Sequence, residues 1–441
     1  MKQRNLILAA AALLSSLAIM ADSSAPPKEE KTAPQIAKDL DWIKFEKIRA
    51  VYTWAFYHEN PKQVVKDLSD TGFNSIFLKA SINVGNLDIW LDAAEKYDMK
   101  IFICYNYWSI PDKKKINEAT RKYRKIVYMD GKEGAAPCPL NRKYWKEFLL
   151  PKQLEFAKMS LKRKSIVGLL MDTEMYGIKP HAFLNDVCFC DDCFNRFLKS
   201  ENKGKIENIS KQKRHIWLKE RKILKKYYKS LENETASCAS FFRNKIHNEN
   251  PRLLLGNLNF INTWFFRGLA SGFGTPSQPT VIAPESPTYT KGCTPFVKEQ
   301  KELFRKEKFN VFYVPGICDR CFFPDDLAEN CYKLAMDADG YFEFTIRGLY
   351  GLIEIFNEDL KRKSGGSFKK YWDAFKFANQ EIRWKIRLGK YYNSPLDKDN
   401  VNLAKGKTFS SLAPLSENWD MKVLCDGKQD FKASLKFETT E

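Results

Sequence analysis

The chain has 441 residues, 44% of them hydrophobic and 14% aromatic, which excludes a disordered protein and suffices for one large domain plus part of another. Its formal charge of +19 invites an acidic partner. Lysine, however, dominates over 199–229, where Arg214, Arg221, Trp217, Tyr227 and Tyr228 are the minority, which reads as a solvated basic face rather than a nucleic-acid groove.

Residues 1–25 read as a secretory leader. Lys2 and Arg4 precede an apolar run over 6–20, and Ala21, Ser23, Ser24 and Ala25 follow. A secreted or periplasmic protein is therefore expected, and no later stretch is long and apolar enough to span a membrane. Segment 26–44, with Pro26, Pro27 and Pro34, reads as a linker.

From 45 to 390 short apolar runs alternate with amphipathic helices. Strands are expected at 48–55, 74–80, 100–107, 165–172, 252–259, 279–284, 310–317 and 339–345. Helices are expected at 87–97, 143–162, 296–306 and 325–338. Eight strand–helix alternations over this length predict an α/β fold, a (β/α)8 TIM barrel. A doubly wound open sheet is the competing arrangement, but no Gly-rich phosphate loop follows the first strand. Segment 193–248 predicts a long helical insertion after strand four, as a hairpin or an arm. Beyond 400 the composition turns to Ser, Thr and Lys.

Two constellations carry chemistry. The first is VGLLMDTEMYG over 167–177, ending the fourth strand, where barrels place catalytic groups. Strand alternation puts Asp172 and Glu174 on one side. Paired carboxylates repel when ionised, which keeps a proton available for protonating a glycosidic oxygen. The plain alternative is a pair of strand-end carboxylates bridged to lysines. The second constellation is Cys188, Cys190 and Cys193 in C-F-C-D-D-C, with Cys138 in APCPL as a fourth soft ligand. Four thiolates make a closed, structural zinc site tying the loop after strand three to the loop after strand four. Scattered disulfides and free thiols are the alternative in an exported chain.

Asp172-Thr173-Glu174 followed by C-x-C-x-x-C, with an upstream Cys-Pro, resembles family 42 β-galactosidases and related hypothetical glycoside hydrolases. The resemblance implies a glycosidase with Glu174 as general acid/base and with Cys138, Cys188, Cys190 and Cys193 as zinc ligands. Thr173 stands where that family has Asn, which leaves the sugar open. The family's clan places a Glu nucleophile at the end of strand seven, where this chain offers only Asp319. Glu285 after strand six ranks beside it, and Glu343 in strand eight below. Asp319 lies between Cys318 and Cys321, a pair able to close a disulfide with each other or to engage Cys293. D-x-E also ends the family 18 chitinase motif, in which the substrate's acetamido group attacks and Tyr289 would be the helper tyrosine. The longer acidic run of that motif is absent. NLAKGKTFSS and LCDGK, within 400–441, resemble the start of a discoidin-like (F5/8 type C) carbohydrate-binding β-sandwich, here incomplete; a tail packed on the barrel is the alternative.

Aromatic platforms for a poly- or oligosaccharide are expected from Tyr52, Trp54, Trp108, Tyr176 and Tyr289, with Asn257 and Lys79 as polar strand-end groups. The four histidines show no metal spacing, and two-metal nuclease chemistry lacks its ligands. The class opposed to a hydrolase is a non-catalytic glycan-binding barrel.

Overall fold

The computed structural model describes residues 40–56, 60–82, 85–106, 121–173, 187–201, 209–350 and 368–397. The leader, most of the linker, the 400–441 module, Glu174, Trp108 and Tyr176 lie outside the described residues. The chain divides into two units at 41/42, and the second holds the fold.

Its strands are β1 (Ile48–Trp54), β2 (Ser75–Lys79), β3 (Lys100–Asn106), β4 (Lys125–Val127), β5 (Glu133–Pro137), β6 (Ile166–Asp172), β7 (Leu254–Asn257), β8 (Thr280–Ile282), β9 (Val311–Tyr313), β10 (Gly316–Ile317) and β11 (Gly340–Phe344). Apart from the antiparallel β4–β5 hairpin, they form one all-parallel sheet in the order β10-β11-β1-β2-β3-β6-β7-β8-β9. The two edges are halves of one strand broken at Val314–Pro315. Val314 and Gly316 donate to Ile282 and Pro284 carbonyls at 2.9 and 2.8 Å, while Asp339 and Phe342 donate to Tyr313 and Pro315 at 2.8 and 3.1 Å. The ring is thereby closed, an eight-stave (β/α)8 barrel as the alternation predicts.

Helices α1 (Pro61–Asp70), α2 (Leu87–Lys96), α3 (Leu150–Met159), α4 (Asp191–Ser200), α5 (Leu224–Glu249), α6 (Trp264–Phe273), α7 (Pro295–Lys306), α8 (Pro324–Asp337) and α9 (Lys369–Leu388) surround it. Sequence capping is visible at α1, where Asn60 accepts from the Gln63 amide and Pro61 occupies the first turn, a position that needs no N–H. The helix expected at 143–162 contains a π segment, Trp145–Leu149, before α3. Among the described residues no helix is long and apolar enough to cross a membrane.

The expected insertion resolves into α4, a short helix Arg214–Glu220, and α5. α5 is packed rather than projecting as an arm. Tyr227, Leu231, Thr235, Cys238, Phe242 and Ile246 form its buried stripe. α6 crosses it closely because Gly268 and Gly272 carry no side chain; a Cβ there would meet Thr235 and Ala239 at 2.5 Å.

Inside the ring the packing opposes large and small residues. Phe77 lies 5.3 Å, centroid to centroid, from both Phe102 and Phe342. A Cβ on Gly168 would fall 2.5 Å from Phe102. Aromatic rings fill the lumen and make a floor, so a ligand site can form only above it, at the carboxyl ends of the strands.

Candidate active site and a four-cysteine centre

Register fixes which side chains face the mouth. Phe102 pairs with Gly168, Cys104 with Leu170 and Asn106 with Asp172, so Asp172 shares the lumen face of Phe102 and Cys104. Lys79, in register with Cys104, reaches across β3 to Asp172: Nζ and Oδ2 are 3.1 Å apart, with side-chain exposures of 22% and 5%. The lysine counter-ion is what the plain alternative, strand-end carboxylates bridged to lysines, expects for Asp172. Burial first, and the Asp172 charge second, push the Cys104 thiol well above its ordinary value. Asn106 was not singled out in the sequence; its buried Oδ1 has no hydrogen-bond partner among the described residues. Its register pairing with Asp172 is the signal that finds it.

Beside this ion pair stands an aromatic wall. Tyr52 and Trp54 meet edge-to-face at 5.0 Å, Trp54 lies 6.0 Å from Phe344, and Tyr289 stacks on Phe344 at 5.3 Å. Trp54 is also the register partner of Lys79, so the wall and the ion pair are adjacent on neighbouring staves. Tyr52, Trp54 and Tyr289 are thus brought together, with Phe344 as a member that the sequence did not single out. Glu285 is half-buried and its carbonyl accepts from the Tyr289 amide at 3.0 Å, placing it at the base of the same loop.

Two expected groups are placed elsewhere. Asn257 pairs in register with Met171 and Ile282, whose side chains belong to the layer packed beneath the helices. It is fully buried and donates to the Asn259 carbonyl, away from the lumen. The pleat, not the strand-end position, decides this.

Asp319 is 3% exposed. Its amide donates to Glu343 Oε1 at 3.2 Å, and a Cβ on Gly348 would lie 2.3 Å from its Oδ2. Glu343 pairs with Val51, on the helix-facing side of the ring rather than inside it. Burial pushes Asp319 up to about 7; burial and then the Asp319 charge push Glu343 well above the usual carboxylate range. Raised folded-state values mean that the native state holds protons the unfolded chain has released. The stabilisation is full below about pH 4 and is lost as pH rises through 7. Wild type is expected to lose on the order of 2–3 kcal/mol from Asp319 between pH 5 and 8. Asp319→Asn should flatten that slope in denaturant melts at the two pH values, and parallel profiles would refute it.

The four cysteines converge. Cys138, Cys188, Cys190 and Cys193 are buried, with all four Sγ atoms within 4.8 Å of one another. Cys138 lies 3.5 Å from Cys193 and 3.9 Å from Cys190, sulfur to sulfur. Tetrahedral zinc with ~2.3 Å Zn–S bonds requires sulfurs about 3.8 Å apart, so the donor set fits. The Val127 amide donates to Cys188 Sγ at 3.2 Å and Arg124 Nη2 to Cys138 Sγ at 3.5 Å, the donors a thiolate cluster needs. The β4–β5 hairpin supplies both the Val127 amide and, through Cys138 just past its end, one thiol. The cluster therefore joins the loop after β3 to the segment before α4. No disulfide occurs among the described cysteines.

No family model and no curated protein matches the chain. Solved structures do. The catalytic domain of beta-amylase from Paenibacillus polymyxa is 9% identical, covering 69% of this chain and 94% of that one, with a TM-score of 0.47. Alpha-L-fucosidase isoenzyme 2 from Paenibacillus thiaminolyticus is 12% identical over 77% of this chain and 50% of its own, TM-score 0.45. An exo-beta-agarase is 12% identical over 76% and 47%, TM-score 0.42. The chain thus spans about half the length of the last two. These neighbours are glycoside hydrolases, but at TM-scores below 0.5 their activities do not transfer to this chain.

Proposed function

We propose that the chain is a glycoside hydrolase acting on a poly- or oligosaccharide at the mouth of its barrel, with Glu174 as general acid. The observation that carries this is Asp172: it closes the fourth barrel stave, faces the lumen, and stands two residues before Glu174. The sequence alternation pairs Glu174 with Asp172, and Glu174 itself lies outside the described residues. Trp54, Phe344 and Tyr289, all half-buried, offer apolar faces on which a sugar ring stacks, while Tyr52, only 4% exposed, supports Trp54 edge-on; Trp108 and Tyr176 are proposed alongside them.

Glu285 is the preferred second carboxylate, because Asp319 is sealed behind the ring. As nucleophile Glu285 would give retention at a carboxyl separation of ~5–5.5 Å, and as base inversion at ~6.5–9.5 Å. A second reading is substrate-assisted, chitinase-like hydrolysis. It is favoured by Tyr289, whose ring stands in the mouth against Phe344 while the carboxyl of strand seven is buried. The four-thiolate centre would hold zinc with no open position, and so would supply rigidity rather than a nucleophile. Export by residues 1–25 and a sugar-binding role for 400–441 belong to the same proposal.

The test is reducing-end release from neutral galactans, sulfated and uronic glycans, and N-acetylglucosaminides. Wild type should cleave one class, and Trp54→Ala should raise its KM about tenfold, the scale of 1–2 kcal/mol lost with a stacked ring. Binding without release across all classes would leave a non-catalytic barrel.

A further inference from the structure

At the mouth end of β10 the chain turns through Cys318-Asp319-Arg320-Cys321. The Cys321 amide donates to the Cys318 carbonyl at 3.0 Å, closing a single 3-10 turn over Asp319–Cys321. A turn so closed holds its end Cα atoms within about 7 Å, which overlaps the ~4.4–6.8 Å span of a disulfide. Cys318 is 5% exposed, Cys321 is exposed, and neither is disulfide-bonded. We propose that Cys318 and Cys321 form a thiol–disulfide exchange site for small-molecule disulfides, with Cys321 as attacking and Cys318 as resolving thiol.

The division of labour follows from access and charge. The Cys318 thiol, hydrogen-bonding to Cys321, is the main cause that brings Cys321 down to about 7, and the Arg320 guanidinium acts in the same direction. Burial and the Asp319 charge oppose it. Cys318 is pushed the other way, chiefly by that hydrogen bond and then by burial and the Glu343 and Asp319 charges. A thiol near neutral pH combines thiolate fraction with nucleophilicity.

In the first step Cys321 thiolate attacks one sulfur of R–S–S–R, forming a protein mixed disulfide and expelling RS⁻. In the second, Cys318 loses its proton and attacks Cys321 sulfur, expelling the other RS⁻. Two electrons pass from the dithiol to R–S–S–R; the two protein protons leave with the thiols. The product clamps the turn that carries Asp319. It also grips the loop after β8, because the Cys318 amide donates to the Tyr289 carbonyl at 3.3 Å. The proposal is independent of the hydrolase reading.

The experiment treats the full native chain with oxidised glutathione and maps cysteines by alkylation and mass spectrometry. One disulfide per chain is expected between Cys318 and Cys321, the peptide lighter by two hydrogens and restored by dithiothreitol. Cys318→Ser should arrest Cys321 as its glutathione adduct. Without oxidant, maleimide should label Cys321 at least ten times faster than Cys318 or Cys331, which is buried in α8. A Cys321–Cys293 link, or Cys321 left as a free thiol in wild type, overturns the proposal. Wild-type mapping stands even where the variant fails to fold.

Discussion

Glu174→Gln is expected to lower turnover by about 10²–10⁴-fold, the range for losing a positioned general acid, while glycan binding is kept. The amide preserves shape and removes only the transferable proton. Loss should be greatest on natural glycans, whose leaving groups need protonation, and much smaller on aryl glycosides with acidic phenol leaving groups. Asp172→Asn acts differently. It leaves Lys79 at 22% side-chain exposure without its counter-ion, adding positive charge to the mouth. Its pH–rate profile should therefore move, whereas the glutamine variant should be flat and low. Equal rates for wild type and Glu174→Gln on both substrate types would end the hydrolytic reading at this residue.

Cys190→Ser is expected to take bound zinc from one equivalent per chain to none and to lower unfolding stability by on the order of 3–5 kcal/mol, the scale of a lost metal tie. Cys138 and Cys188 are fully buried, so without a cation three desolvated thiol groups would crowd one point. The barrel keeps its own core, so the variant should fold, with the β4–β5 hairpin and the start of α4 exchanging amide hydrogens fastest. Elemental analysis of protein purified without chelator, beside denaturant melts, checks it. Metal-free wild type with stability equal to the variant's would show that the thiols merely pack.

What the sequence disclosed depends on how local each signal is. The eight staves were legible because their apolar runs are continuous. The cysteine centre was legible because three of its ligands fall within six residues. The β4–β5 hairpin was not, since strands of three and five residues containing Lys125, Glu133 and Gly134 carry no periodicity. The Lys79–Asp172 ion pair joins residues 93 apart in the chain and follows only once β2, β3 and β6 are known to be neighbours. Asn257 misled because a polar strand-end residue suggests the mouth, whereas pleat parity turns it outward. The Asp319–Glu343 pair lies on the far side of the ring, and strand order alone gives no hint of that.

The broken seventh stave has a mechanical consequence. Pro315 brings no amide proton, and Gly316 leaves room that the Tyr289 ring fills. The joint between β8 and β11 is therefore split into two short ladders, three register pairs to β8 and two to β11, whereas β6 carries longer ladders on both flanks. A chain wedged into the opening would spread the hoop at this hinge. The stave that ends in Asp172 would stay still while the opposite rim yields.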